Sequence, residues 1–143
     1  MSENDLGFDF LDIFERHHKI DLIIKFAQYS IEKEVRCKTI EVLGRLKDPR
    51  AVEPLIQTLK DEDWQVREKA VEILSNLGDT RMVEPLIQLL KDQSKEVRYQ
   101  AAYALGRIGD KRAIEPLTKV LEDEDLKVSL AAEYAIELLK KKK

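Results

Sequence analysis

The residues able to do chemistry are few and poorly placed for it. His17 and His18 are the only histidines, and adjacent residues on a helix point in different directions. Cys37 is the single cysteine, flanked by Arg36 and Lys38 but by no histidine that could act as a base. A buried or idle thiol is the expectation there, since a reactive one needs an electropositive, accessible setting. One cysteine also excludes an intramolecular disulfide and fits a reducing compartment, so the cytoplasm is the default. The 28 acidic residues are scattered over turns and solvated faces. No glycine-rich phosphate loop and no metal-ligand spacing occurs. The sequence thus predicts no catalytic residue, no metal and no cofactor.

The elements that carry these residues announce themselves by repetition. Glu53-Pro54-Leu55-Ile56-Gln57 returns as Glu84-Pro85-Leu86-Ile87-Gln88 and as Glu115-Pro116-Leu117. Val35-Arg36 returns as Val66-Arg67 and Val97-Arg98, every 31 residues and without insertion or deletion. A fixed period of this size is the mark of a solenoid. The unit holds two helical patterns and no sustained alternation, which predicts an all-α chain: a short α-solenoid of about four helical hairpins. Expected repeats are 18–47, 48–78, 79–109 and 110–140, forming a single domain over 18–143. Residues 1–17, acidic and carrying Phe8, Phe10, Leu11, Ile13 and Phe14, are read as an N-terminal capping segment; a partner-binding tail is the other reading.

Within the unit, Asp48 can cap a first helix with Pro49 at its first position. Pro54 falls inside that helix and should kink it, as Pro85 and Pro116 should in later copies. Asp63 should cap the second helix, Trp64 to Leu77, whose inward face is Val66, Ala70, Ile73, Leu74 and Leu77. The charge is balanced, −3 in net, so strong nucleic-acid binding is not expected. No apolar run reaches the length of a membrane span.

Leu-Gly-Arg-Ile-Gly-Asp at 105–110, Arg-Ala-Ile-Glu-Pro-Leu at 112–117 and Glu-Val-Arg-Tyr-Gln-Ala-Ala at 96–102 resemble the HEAT-like repeat of the phycocyanobilin-lyase type, within the HEAT and armadillo superfamily. The resemblance covers residues 18 to 140. It implies an inter-repeat ladder between turn aspartates and second-helix arginines, assigned here to Asp48, Asp79 and Asp110 with Arg36, Arg67 and Arg98. Ser129 stands where a fourth arginine would be. Relatives that hydroxylate a modified lysine hold iron through His-Glu pairs, which this chain lacks. The stripe Ser129, Glu133, Glu137 replaces Arg98, Ala102, Gly106, and the expectation is that the solenoid ends at its last helix and is no fragment of a longer array.

Binding in such solenoids falls on the concave side. The second helices should line it with Trp64, Glu68, Glu72, Tyr99, Tyr103, Arg107, Leu130 and Tyr134, grading from charged to aromatic and apolar along the chain. Clustered tyrosines near an arginine suit a protein-binding hot spot; equally, they could shield seams between helices with their hydroxyls in water. The expected function is a non-catalytic protein-interaction or scaffold module. The other reading is an accessory or lyase-like protein handling a small ligand in the same groove. A homodimer through the C-terminal repeat is a further arrangement its leucines would allow.

Overall fold

The computed structural model describes Ile13 and residues 19–142. Phe8, Phe10, Leu11 and Phe14 of the expected capping segment, and both histidines, lie outside the described residues. Eight α-helices follow, with no strand among the described residues: α1 (Ile20–Tyr29), α2 (Lys33–Leu46), α3 (Val52–Thr58), α4 (Trp64–Leu77), α5 (Val83–Leu89), α6 (Lys95–Ile108), α7 (Ile114–Val120) and α8 (Leu126–Lys141). They form two compact units divided between Leu77 and Gly78.

The first unit holds two hairpins. α1 packs on α2, α3 on α4, and the hairpins meet through α2 against α4. Its core is Ile23, Val35, Ile40, Leu43, Leu55 and Leu74, all fully buried. The second unit repeats the plan, with α5 on α6, α7 on α8, and α6 against α8. Met82, Leu86, Leu105, Leu117 and Leu139 fill its interior. Apolar residues spaced three and four apart place one stripe of each helix inward, and burial of that stripe stabilises helices too short to persist alone.

The prolines act differently from the expected kink. A 3-10 turn, Pro49–Ala51, leads into α3, so Pro54 sits in the first turn of a fresh α-helix. Donors of a first helical turn have no intrahelical acceptor, and proline there loses nothing. The same 3-10 turns open α5 at Thr80–Met82 and α7 at Lys111–Ala113. Second helices end in left-handed backbone at Lys47 (φ 51°) and Gly109 (φ 79°), a conformation suited to glycine.

Candidate functional site

The hairpin turns explain how the second helices start. Asp63 Oδ1 accepts from the Gln65 N–H at 2.9 Å, Ser94 Oγ from Val97 N–H at 3.4 Å, and Asp125 Oδ1 from Val128 N–H at 3.2 Å. Two residues earlier, Asp61, Asp92 and Asp123 each accept the N–H of the capping residue at 2.9 Å. Each helix start is therefore tied to its turn by two short side chains.

Asp61 and Asp123, and not the expected aspartates, take Arg36 and Arg98. Arg36 donates to both carboxylate oxygens of Asp61, at 2.9 and 3.0 Å, and to the carbonyls of Ser30 and Ile31 at 2.8 and 3.0 Å. Arg98 repeats the arrangement on Asp123 and on the carbonyls of Asp92 and Gln93. Arg67 donates to the carbonyls of Asp61 and Glu62. Asp48, Asp79 and Asp110 instead cap the 3-10 turns and hold Arg50, Arg81 and Arg112, two residues on, with Nη2–Oδ2 distances of 2.8 Å. The expected ladder is thus corrected. Arg36 lies near the start of α2, about 15 Å from its end at 1.5 Å per residue, and Asp48 lies beyond that end, whereas Asp61 lies within hydrogen-bond reach of Arg36. The hydrogen bonds from Arg81 and Arg112 hold the Asp79 and Asp110 carboxyls below the usual carboxylate range, helped by the backbone N–H groups of the same residues.

In the first unit, the residues expected to bind do not form a common aromatic surface. Trp64, at the start of α4, is 39% exposed. Glu68 is half-buried and Glu72 exposed. Lys69 Nζ sits between Glu41 of α2 at 3.1 Å and Glu72 at 3.3 Å. Burial works against the Lys69 charge, but hydrogen bonds to the two glutamates outweigh it and raise its pKa. Burial pushes the Cys37 thiol up, with the Lys69 charge acting the other way. An open groove of about 660 Å³ lies at the hairpin ends, lined by Tyr29, Ser30, Ile31, Arg36, Gln57 and Asp61 among others, and by none of the residues expected to bind a partner.

The second unit does assemble such a surface. Tyr99 and Tyr103, one turn apart on α6, stack with centroids 6.4 Å apart and planes 9° from parallel. Tyr134 of α8 continues the row against Tyr103, again at 6.4 Å and at 13°. The Arg107 guanidinium carbon lies 5.9 Å from the Tyr103 centroid, within cation–π range. The rings remain substantially exposed, at 37, 38 and 53% for Tyr99, Tyr103 and Tyr134. Leu130 and Leu126, one and two turns before Tyr134, extend the stripe at 52 and 70%. These positions correspond by the repeat period to Lys95, Tyr99 and Tyr103 of α6. Their counterparts are exposed as well, so the apolar side chains are not seam residues laid bare at the end of the repeats.

Two arrangements that the reading of the sequence missed were signalled in it. Asp61, Asp92 and Asp123 recur with the 31-residue period, and so does the Asp-x-Arg of Asp48–Arg50, Asp79–Arg81 and Asp110–Arg112.

A family model described as HEAT repeats matches residues 20–92 and 52–137. The chain belongs to the HEAT-repeat family. No curated protein matches it in sequence. Among solved structures, it is similar to the complex of CpcE and CpcF of phycocyanin lyase from Nostoc sp. PCC7120, at 24% identity and a TM-score of 0.78, over 99% of this chain and 62% of that one. It is similar to human deoxyhypusine hydroxylase at 24% identity and TM-score 0.74, over 90% of this chain and 45% of that one. A designed armadillo repeat protein in complex with the peptide (KR)4 matches at 20% identity and TM-score 0.66, over 82% of this chain and 62% of that one. This HEAT-repeat chain therefore spans about half to two thirds of the length of these proteins, and at such identities the likeness is one of fold. Among the described residues, no helix is long and apolar enough to cross a membrane.

Proposed function

We propose that this chain is a non-catalytic, cytoplasmic interaction module that holds a protein partner on the tyrosine face of α6 and α8. The observation that carries the reading is the row of three near-parallel, half-exposed tyrosines, extended by Leu130 and Leu126 and with Arg107 over the middle ring. Leaving these side chains in water forgoes roughly 1.5–3 kcal/mol for each fully buried large apolar group. Aromatic and arginine anchors are what partner surfaces concentrate at their centres. The designed armadillo neighbour, whose structure holds a peptide, supports peptide capture as a use of the fold. The rival reading, a lyase-like or accessory protein holding a small ligand, calls for an enclosed site with convergent polar groups. The openness of the tyrosine face favours the interaction reading.

The test is a peptide-display selection against the wild-type chain, followed by calorimetric titration of the selected peptide. Tyr103→Ala/Tyr134→Ala is expected to weaken binding at least ~10-fold, equivalent to about 1.4 kcal/mol, with helicity unchanged. An unchanged Kd in the folded double variant would overturn the reading.

A further inference from the structure

The tyrosine row contains two unlike contacts. Tyr99 and Tyr103 share α6, and helix geometry alone brings residues four apart together. Tyr103 and Tyr134 sit on different helices, so their stacking depends on how closely α6 approaches α8. At that crossing lies Gly106. A Cβ added to it would stand 2.8 Å from both the Cα and the Cβ of Ala135, closer than real carbon contacts allow. The obstacle includes backbone, so no rotamer change could relieve it.

The equivalent crossing in the first unit is built differently. Gly44 of α2 faces Ile73 of α4, and the closest approach of an added Cβ, 2.6 Å, is to Cγ2 of that side chain. Ile73 and Ala135 occupy the same position of the repeat, two periods apart. Glycine meets the β-branch methyl of an isoleucine side chain in one unit and a helix backbone in the other. The first unit carries the Glu41–Lys69–Glu72 ion network, made by long side chains, on the corresponding face. Aromatic stacking has no such reach, since it needs centroids within about 7 Å.

We propose that Gly106 and Ala135 act as the spacer of the recognition face, setting the α6–α8 distance so that Tyr134 stacks on Tyr103. Both are positioning residues, buried and out of reach of any partner. The proposal rests on the interaction reading of the tyrosine face. Both units keep a glycine at this crossing, so the missing branches at 135 are what distinguish the aromatic surface from the ion-network one.

The test follows inter-ring NOEs of tyrosines in the full chain. Gly106→Ala is expected to lose the Tyr103–Tyr134 NOEs while keeping those between Tyr99 and Tyr103, which serve as an internal control on α6. Adding Ala135→Gly to Gly106→Ala removes the methyl but leaves the Cα of residue 135 in the way, so the cross-helix NOEs are expected to stay lost. Ala135→Ile, which copies the first unit, provides an independent widening should Gly106→Ala fail to fold. Binding of the display-selected peptide is measured on the same variants, with a loss of at least ~10-fold expected wherever the cross-helix NOEs vanish. Cross-helix NOEs intact in folded Gly106→Ala or Ala135→Ile would overturn the spacer. Vanished NOEs with an unchanged Kd would overturn its link to recognition. Neither result bears on the interaction reading, which the Tyr103→Ala/Tyr134→Ala titration decides separately.

Discussion

Replacing Arg36 by methionine should be among the most damaging single changes in the first unit. The residue is 5% exposed, and its guanidinium makes two hydrogen bonds to Asp61 and two to backbone carbonyls. Methionine keeps much of the buried stem but strands the Asp61 carboxylate, whose side chain is 10% exposed. Removing one partner of a buried pair costs about 3–5 kcal/mol. Asp61 retains the Asp63 N–H as a donor, which places the expected loss near the lower end, about 3 kcal/mol. Urea unfolding followed by far-UV circular dichroism measures it. A double-mutant cycle then separates the two possible acidic partners. Arg36→Met with Asp61→Asn should show a coupling energy of about 2 kcal/mol, whereas Arg36→Met with Asp48→Asn should be additive within about 0.5 kcal/mol, as distant sites are. A loss under about 1 kcal/mol, or a larger coupling to Asp48 than to Asp61, would refute this account of the ladder.

Three further outcomes are expected. Lys47 holds a left-handed backbone that glycine occupies at Gly78 and Gly109, so Lys47→Gly should raise the urea midpoint by the equivalent of up to about 1 kcal/mol, and a lowered midpoint would contradict the cap. Asp79 and Asp110 have carboxyl pKa values lowered by folding; their stabilisation is complete above the unfolded carboxylate value near ~3.9 and disappears as pH falls through the lower folded value. The stability gap between wild type and Asp79→Asn/Asp110→Asn should accordingly shrink on acidification below that value, and a gap that widens would argue against the assignment. Cys37, with its thiol raised by burial, should react with a disulfide reagent at neutral pH more slowly than the urea-unfolded chain does; equal rates would show that burial does not protect it.

Most of the fold was legible because its determinants are local and repeated. The expected helix Trp64 to Leu77 coincides with α4; of its expected inward face Val66, Ala70 and Leu74 are buried, whereas Ile73 and Leu77 are half-buried and Val71 is buried in addition. The proline reading failed over a three-residue difference: a helix opening at Asp48 places Pro54 inside it, while the 3-10 turn resets the count and places it in a first turn. The ladder failed for another reason. Two sets of aspartates recur at the same interval, and periodicity gives no ground for choosing between them. The choice depends on which end of the antiparallel hairpin an arginine occupies.

The candidate face divides along the same line. Tyr99 over Tyr103, and Leu126, Leu130 and Tyr134 in one stripe, follow from residues four apart on a helix, so the sequence alone determines them once the helices are recognised. The period likewise determines the family and the repeated hairpin. What the sequence left open is every relation across helices: Tyr134 stacked on Tyr103, Glu72 engaged by Lys69 together with Glu41, and Arg98 on Asp123. Those contacts turn on distances of a few ångströms between helices, and such distances are set by what the packing residues lack, as Gly106 against Ala135 illustrates. A missing side chain carries no pattern of its own; its effect exists only where two backbones meet.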